Sequence, residues 1–108
     1  MRFSIHKVSK LYRFRRREAV RGFLRQWARL LPVLSVVREK ITRYFGSEPV
    51  VDLRLSKDGS MLLALIQVEE PLVEAGKKLD RFDYEWWLAR KNDLGVGLLD
   101  VDVQIRID

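Results

Sequence analysis

The order of hydrophobic periodicities predicts an α+β two-layer sandwich. Three observations carry it. Apolar residues at helical spacing fill the front of the chain, two alternating segments flank Asp58-Gly59, and a second helical stretch runs into an alternating C-terminal segment. Helices on one face of a three-stranded sheet bury all of these stripes at once. One core is what 108 residues with 47% hydrophobic and 33% charged composition can fill. The expected organisation is a basic arm over residues 1–17 and a domain over 18–108, whose core unit is 33–108.

Over residues 18–31, Val20, Phe23, Leu24, Trp27, Leu30 and Leu31 fall at i, i+3, i+4, i+7 spacing, with Arg21, Arg25 and Arg29 opposite, so this stretch is an amphipathic helix. Pro32 either kinks it or opens a second helix at its first turn. That second helix runs to Phe45 on the stripe Val33, Val37, Ile41, Tyr44 and Phe45, and Gly46 stops it. Residues 50–56 alternate Val51, Leu53, Leu55 against Asp52, Arg54, Ser56, the period-two pattern of a strand with one wet face. Asp58-Gly59 then predicts a two-residue reverse turn into an antiparallel partner at 61–68, apolar on both faces.

Glu69, Glu70 and Pro71 open the next helix, expected over 69–91 with Leu72, Ala75, Leu79, Phe82 and Trp86 inward and an exit turn at 92–95. Residues 96–107 close the chain as a strand, Val101, Val103, Ile105 and Ile107 alternating with Asp100, Asp102, Gln104 and Arg106. If residues 2–8, where Phe3 and Ile5 alternate with Ser4 and His6, add a first strand, the pattern becomes ferredoxin-like.

The net charge of +6 conceals two ends. Residues 1–46 hold 13 Lys and Arg against 2 acids, and residues 47–108 hold 8 against 13. Ten of the first 13 are arginine, whose planar fork suits phosphate. No cysteine is present, which excludes disulfides, thiolate metal sites and cysteine nucleophiles and fits a reducing, cytoplasmic setting. No run approaches the roughly 18 apolar residues of a membrane span. Arg15, Arg16 and Arg17 do not make a twin-arginine signal, because Arg21, Arg25 and Arg29 interrupt its apolar region.

The string LDRFDYEWWL at 79–88, following the hairpin EPVVDLRLSKDGSMLLALIQV and preceding LLDVDVQI, resembles a family of small uncharacterised bacterial and archaeal proteins whose ending is similar to LDxFDxxWW. The resemblance covers residues 33–107 and is specific at 79–88. It implies a fold unit and no activity, and it leaves the first thirty residues outside that unit.

Candidate sites follow from residue types. Arg13, Arg15, Arg16, Arg17, Arg21, Arg25 and Arg29, interleaved with Tyr12, Phe14 and Trp27, suit docking on nucleic acid, and lipid headgroups would satisfy the same charges. Within the signature, Leu79, Asp80, Phe82, Asp83 and Trp86 read as structural, the two carboxylates pairing or accepting hydrogen bonds while Trp86 joins the core. Trp87 is then half-exposed, a fitting interface anchor. Leu63, Leu65 and Leu98 share the far face of the sheet with Asp52, Arg54, Asp100 and Asp102, an apolar patch rimmed by charge. Asp100-x-Asp102 lacks a phosphate loop, Gly95-Val-Gly97 lacks a third glycine, no G-x-S-x-G occurs, and His6 stands alone.

The expected function is a non-enzymatic binding module with no cofactor and no metal, meeting a protein partner or a second copy through Leu63, Leu65, Leu98 and Trp87. Nucleic acid held by the arginines is the alternative partner; a membrane surface ranks below both. A metal-dependent enzyme built on Asp80 and Asp83, or on Asp100 and Asp102, comes last.

Overall fold

The computed structural model of the protein describes residues 4–47, 49–93 and 97–105. Phe3, the end of the expected exit turn at Leu94 and Gly95, and Arg106 and Ile107 lie outside the described residues. The elements run α1 (Ile5–Leu11), β1 (Arg13–Phe14), α2 (Arg17–Gln26), α3 (Leu30–Phe45), β2 (Val51–Leu55), β3 (Leu62–Val68), α4 (Leu72–Phe82), a π-helical turn (Asp83–Trp87), α5 (Leu88–Asp93) and β4 (Leu99–Ile105). The fold is α+β, with an open mixed sheet in the order β1-β2-β3-β4.

Strand β3 is central, antiparallel to β2 with Leu53 opposite Ala64 and parallel to β4 with Ala64 opposite Val101. The alternation predicts Val51, Leu53, Leu55, Leu62, Ala64, Ile66, Val101, Val103 and Ile105 on the inward face. Val51, Leu53, Leu62, Ala64, Ile66 and Val101 are buried there, Leu55 and Val103 are half-buried, and Ile105, at the end of β4, is exposed. The hairpin loop is longer than a two-residue turn. Ser56 N–H donates to the Met61 carbonyl at 2.9 Å, only Gly59 has positive φ (74°), and the Asp58 carboxylate accepts from Ser60 N–H and from the Ser56 and Ser60 hydroxyls.

The front of the chain departs most from expectation. Of the expected ferredoxin-like strand over 2–8, the described part, residues 4–8, is helical: Ser4 accepts from Lys7 N–H at 3.1 Å and caps α1. Ile5, Val8 and Tyr12 recur at helical spacing, which outweighs a four-residue alternation. Val8 and Tyr12 are buried in the core, so residues 4–17 belong to the fold and do not hang from it as an arm. The buried Tyr12 phenol donates to the Leu34 carbonyl at 2.6 Å, and burial pushes its pKa upward. Tyr12 thus anchors β1, which extends the sheet by pairing in parallel with β2.

The first long helix breaks before Pro32. Trp27 leaves helical geometry (φ −118°, ψ 56°), and α3 restarts at Leu30, placing Pro32 in its first turn where no N–H is required. Leu31, Leu34, Val37, Ile41 and Phe45 form its buried stripe.

The helix expected over 69–91 begins with Leu72 exposed and is interrupted at the signature. Leu88 N–H bonds the Asp83 carbonyl five residues back, so one extra residue enters the turn. Both indoles stay against Phe82, Trp86 tilted at 5.7 Å and Trp87 stacked at 6.3 Å, but Trp87 is the one that is fully buried. The reading of Trp86 as core and Trp87 as exposed anchor is therefore reversed: Trp87 is 2% exposed and Trp86 half-buried. Phe82 stacks on Trp87 at 6.3 Å, Trp87 on Trp86 at 5.9 Å, and Tyr44 meets Phe82 edge-on at 5.9 Å.

Two expectations test this arrangement. Trp87→Ala costs about 3–5 kcal/mol of stability and Trp86→Ala about 1–2 kcal/mol in urea unfolding; equal losses would contradict the re-phasing by the π-turn. A chain beginning at Val33, lacking Val8, Tyr12, Val20, Leu24 and Leu30 from the core, shows no cooperative thermal transition by circular dichroism; a sharp one would restore the front end to accessory status.

Candidate anion-binding groove

The hydrogen bonding of β1 continues one residue past Phe14, where Arg15 N–H donates to the Leu53 carbonyl at 2.8 Å. The chain must then turn into α2, and Arg16 makes that turn in the left-handed region (φ 54°, ψ 68°), the lone non-glycine residue with positive φ among the described residues. Such a conformation costs an arginine about 1–2 kcal/mol relative to ordinary helical backbone. Across from it, β2 ends in Arg54 and the hairpin loop brings Lys57. The result is a groove of about 930 Å³ whose charged walls are Arg13, Arg15, Arg16, Arg54, Lys57 and Asp58.

Its charges are unevenly committed. The Arg13 guanidinium is clamped on Asp52 by two bonds, Nε to Oδ1 at 2.6 Å and Nη2 to Oδ2 at 3.0 Å, and this carboxylate holds the arginine above its ordinary pKa. Asp58 is occupied by its loop; the Ser60 hydroxyl, Ser60 N–H and Ser56 hydroxyl together draw its pKa down to about 2. Arg15, Arg16, Arg54 and Lys57 form no ion pair among the described residues. Four uncompensated cations around one cleft attract a polyvalent anion.

The seven arginines expected to act together are divided by the fold. Arg13, Arg15 and Arg16 face the groove, whereas Arg17, Arg21 and Arg25 follow one another at four-residue spacing along the flank of α2 away from the groove-lining Ala19. Arg29 lies 5.4 Å above the Trp27 ring. Arg54 and Lys57 escaped sequence reasoning, because only the parallel β1–β2 pairing sets them beside Arg15 and Arg16. Arg54 on the polar side of its strand was the one available signal.

The other expected sites are dispersed. Leu63 and Leu65 are half-buried on the outer sheet face, between Arg54 and Asp100 and between Asp52 and Asp102 respectively. Polar pairs further limit that face, since Gln67 donates to Gln104 at 2.8 Å beside the Arg13–Asp52 clamp. Leu98 sits in the turn before β4 and packs against the core, so with Trp87 also buried the four-residue interface does not assemble. Leu79 and Phe82 pack inward; Asp80 is exposed and Asp83 half-buried. Among the described residues no three His, Asp or Glu side chains gather as a metal site. Asp100 and Asp102 each accept from the following backbone N–H, at 3.0 and 2.8 Å, and His6 is exposed. No helix among the described residues is long and apolar enough to cross a membrane.

Compared with known proteins, the chain matches no family model, no curated protein and no solved structure.

Two measurements probe the groove itself. Because glycine adopts positive φ without penalty, Arg16→Gly leaves thermal stability unchanged or raises it by up to about 1 kcal/mol while removing a groove cation; a loss of stability would show that Arg16 is held by contacts. The folded pKa of Asp58 lies below its ordinary value, so its stabilisation is complete above about pH 4 and disappears as pH falls through about 2. Asp58→Asn therefore shows a smaller drop in melting temperature than the parent between about pH 5 and about pH 2.

Proposed function

We propose that the protein is a non-enzymatic binding module for nucleic acid, engaging the phosphate backbone through the groove between β1, the start of α2 and the hairpin loop. The observation that carries this reading is the convergence of Arg15, Arg16, Arg54 and Lys57 from two distant stretches of the chain, none of them paired with a carboxylate among the described residues. Arginine forks and a lysine suit successive phosphates, and Arg17, Arg21 and Arg25 widen the positive field that steers a strand inward. The groove's cations address phosphates, so the expected recognition is of backbone charge with little sequence preference.

This replaces the protein-partner reading as first choice for a physical reason. A dimer or hetero-interface needs a desolvated apolar centre. Of the four residues expected to form one, Trp87 lies in the core and Leu98 packs against it, which leaves Leu63 and Leu65, each between charged neighbours.

The test is fluorescence anisotropy with a labelled duplex at about 50 mM and about 200 mM salt. Four phosphate contacts imply a loss of affinity on the order of 10²-fold over that range. Replacing Arg15, Arg16, Arg54 and Lys57 by alanine flattens the salt slope by about four and leaves the fold intact, since all four are exposed. Absence of binding at the lower salt, an unchanged slope in the variant, or binding to anionic vesicles and not to the duplex would overturn the proposal.

A further inference from the structure

A second cleft, sharing no residue with the groove, lies between α3 and the π-turn. It measures about 420 Å³ and is lined by Lys40, Arg43, Tyr44, Arg81, Glu85 and Trp86. We propose that this cleft binds a planar aromatic ligand bearing an anionic group, the chemistry of a nucleoside monophosphate.

The aromatic half of the site comes from the π-turn. The extra residue buries Trp87 and leaves Trp86 half-buried, stacked on Trp87 at 5.9 Å and tilted against Phe82 at 5.7 Å, with the Lys40 ammonium 5.8 Å from its ring centre. A half-exposed indole held flat by a second indole is a platform on which a heteroaromatic ring can stack, displacing the flexible lysine toward the ligand's anionic group. A π-turn inside a helix is also a feature that recurs at functional sites.

The anionic half comes from charge that the protein leaves uncompensated. Glu85 is fully engaged: its Oε1 accepts from the Tyr44 hydroxyl at 3.2 Å and its Oε2 from Arg81 Nε at 3.0 Å. It neutralises Arg81 and fixes Tyr44 as a wall of the cleft. Lys40 and Arg43 make no ion pair among the described residues, so two positive charges remain beside the half-buried indole. Stacking alone would accept any flat ring and the cations alone any anion; the two together select a ligand that is both. A volume of about 420 Å³ falls within the range of small-molecule sites, roughly 300–1,000 Å³.

The experiment is isothermal titration of the full chain with adenosine 5′-monophosphate, with adenosine and with inorganic phosphate. Binding of the monophosphate at least about tenfold tighter than either fragment is the expected result. Lys40→Ala/Arg43→Ala and Trp86→Ala each weaken it about tenfold or more, with folding checked by thermal melt. Arg43→Glu, at an exposed position, serves alone if the double variant does not fold. A free nucleotide and a base within a strand offer the same ring and phosphate. Loss of monophosphate binding with duplex and single-strand binding unchanged assigns the cleft to free nucleotides; a parallel loss of single-strand binding assigns it to a strand. No binding of the monophosphate at millimolar concentration, phosphate bound as tightly as the nucleotide, or variants that bind like the parent would overturn the proposal.

Discussion

Two side chains fasten the front of the chain to α3. The Tyr12 hydroxyl donates to the Leu34 carbonyl, and one turn further along the Arg38 guanidinium donates in three directions: to the Leu11 carbonyl at 3.1 Å, the Thr42 hydroxyl at 2.8 Å and the Pro49 carbonyl at 3.0 Å. Arg38 thereby joins the end of α1, the body of α3 and the approach to β2. Its partial burial draws its pKa down, yet a guanidinium stays charged, so each of these bonds is charge-assisted. With both ends of that knot tied, β1 is held beside β2. The groove follows from this constraint, because Arg15 and Arg16 face Arg54 and Lys57 across the β1–β2 pair.

Charge within the groove is arranged by local chemistry. Two carboxylates stand near it, and each is committed elsewhere: Asp52, nearly buried, to the Arg13 fork, and Asp58 to the hydroxyls and amide of its own loop. The remaining cations therefore keep their field. The backbone at Arg16 is consistent with this account, since a residue held at positive φ where glycine would sit without penalty signals a retained side chain. Strain located at a charged turn is an observation from which function can be argued; the reverse inference would carry nothing.

The aromatic cluster shows how one hydrogen-bond register governs a surface. Phe82, Trp86, Trp87 and Tyr44 form one aromatic cluster, and an uninterrupted α-helix would set Trp86 at its centre. The i→i+5 bond from Leu88 to Asp83 exchanges their roles. The exchange removes the anchor from the side that faces outward in a regular helix and presents Trp86 to Lys40 and the cleft beside α3. Stability and surface chemistry are coupled here through a single inserted residue.

Sequence periodicity was sufficient for the class of fold, the hairpin and the inward residues Val51, Leu53, Leu62, Ala64, Ile66 and Val101, because each depends on spacing within one segment. It left Pro32 open between a kink and a first-turn position, and it placed Ile105 inward where the end of β4 is exposed. Composition likewise carried the excess of arginine at the front. Periodicity could not show that α1 is a helix, since so short a segment satisfies two patterns, nor that the helical ladder slips at Asp83, since the slip is settled by how Phe82 and two indoles pack against Tyr44. The union of Arg15 and Arg16 with Arg54 and Lys57 was equally out of reach. It arises from a two-residue parallel strand pairing whose energy lies in distant contacts through Tyr12 and Arg38, and contacts between remote segments leave no periodic trace in either one.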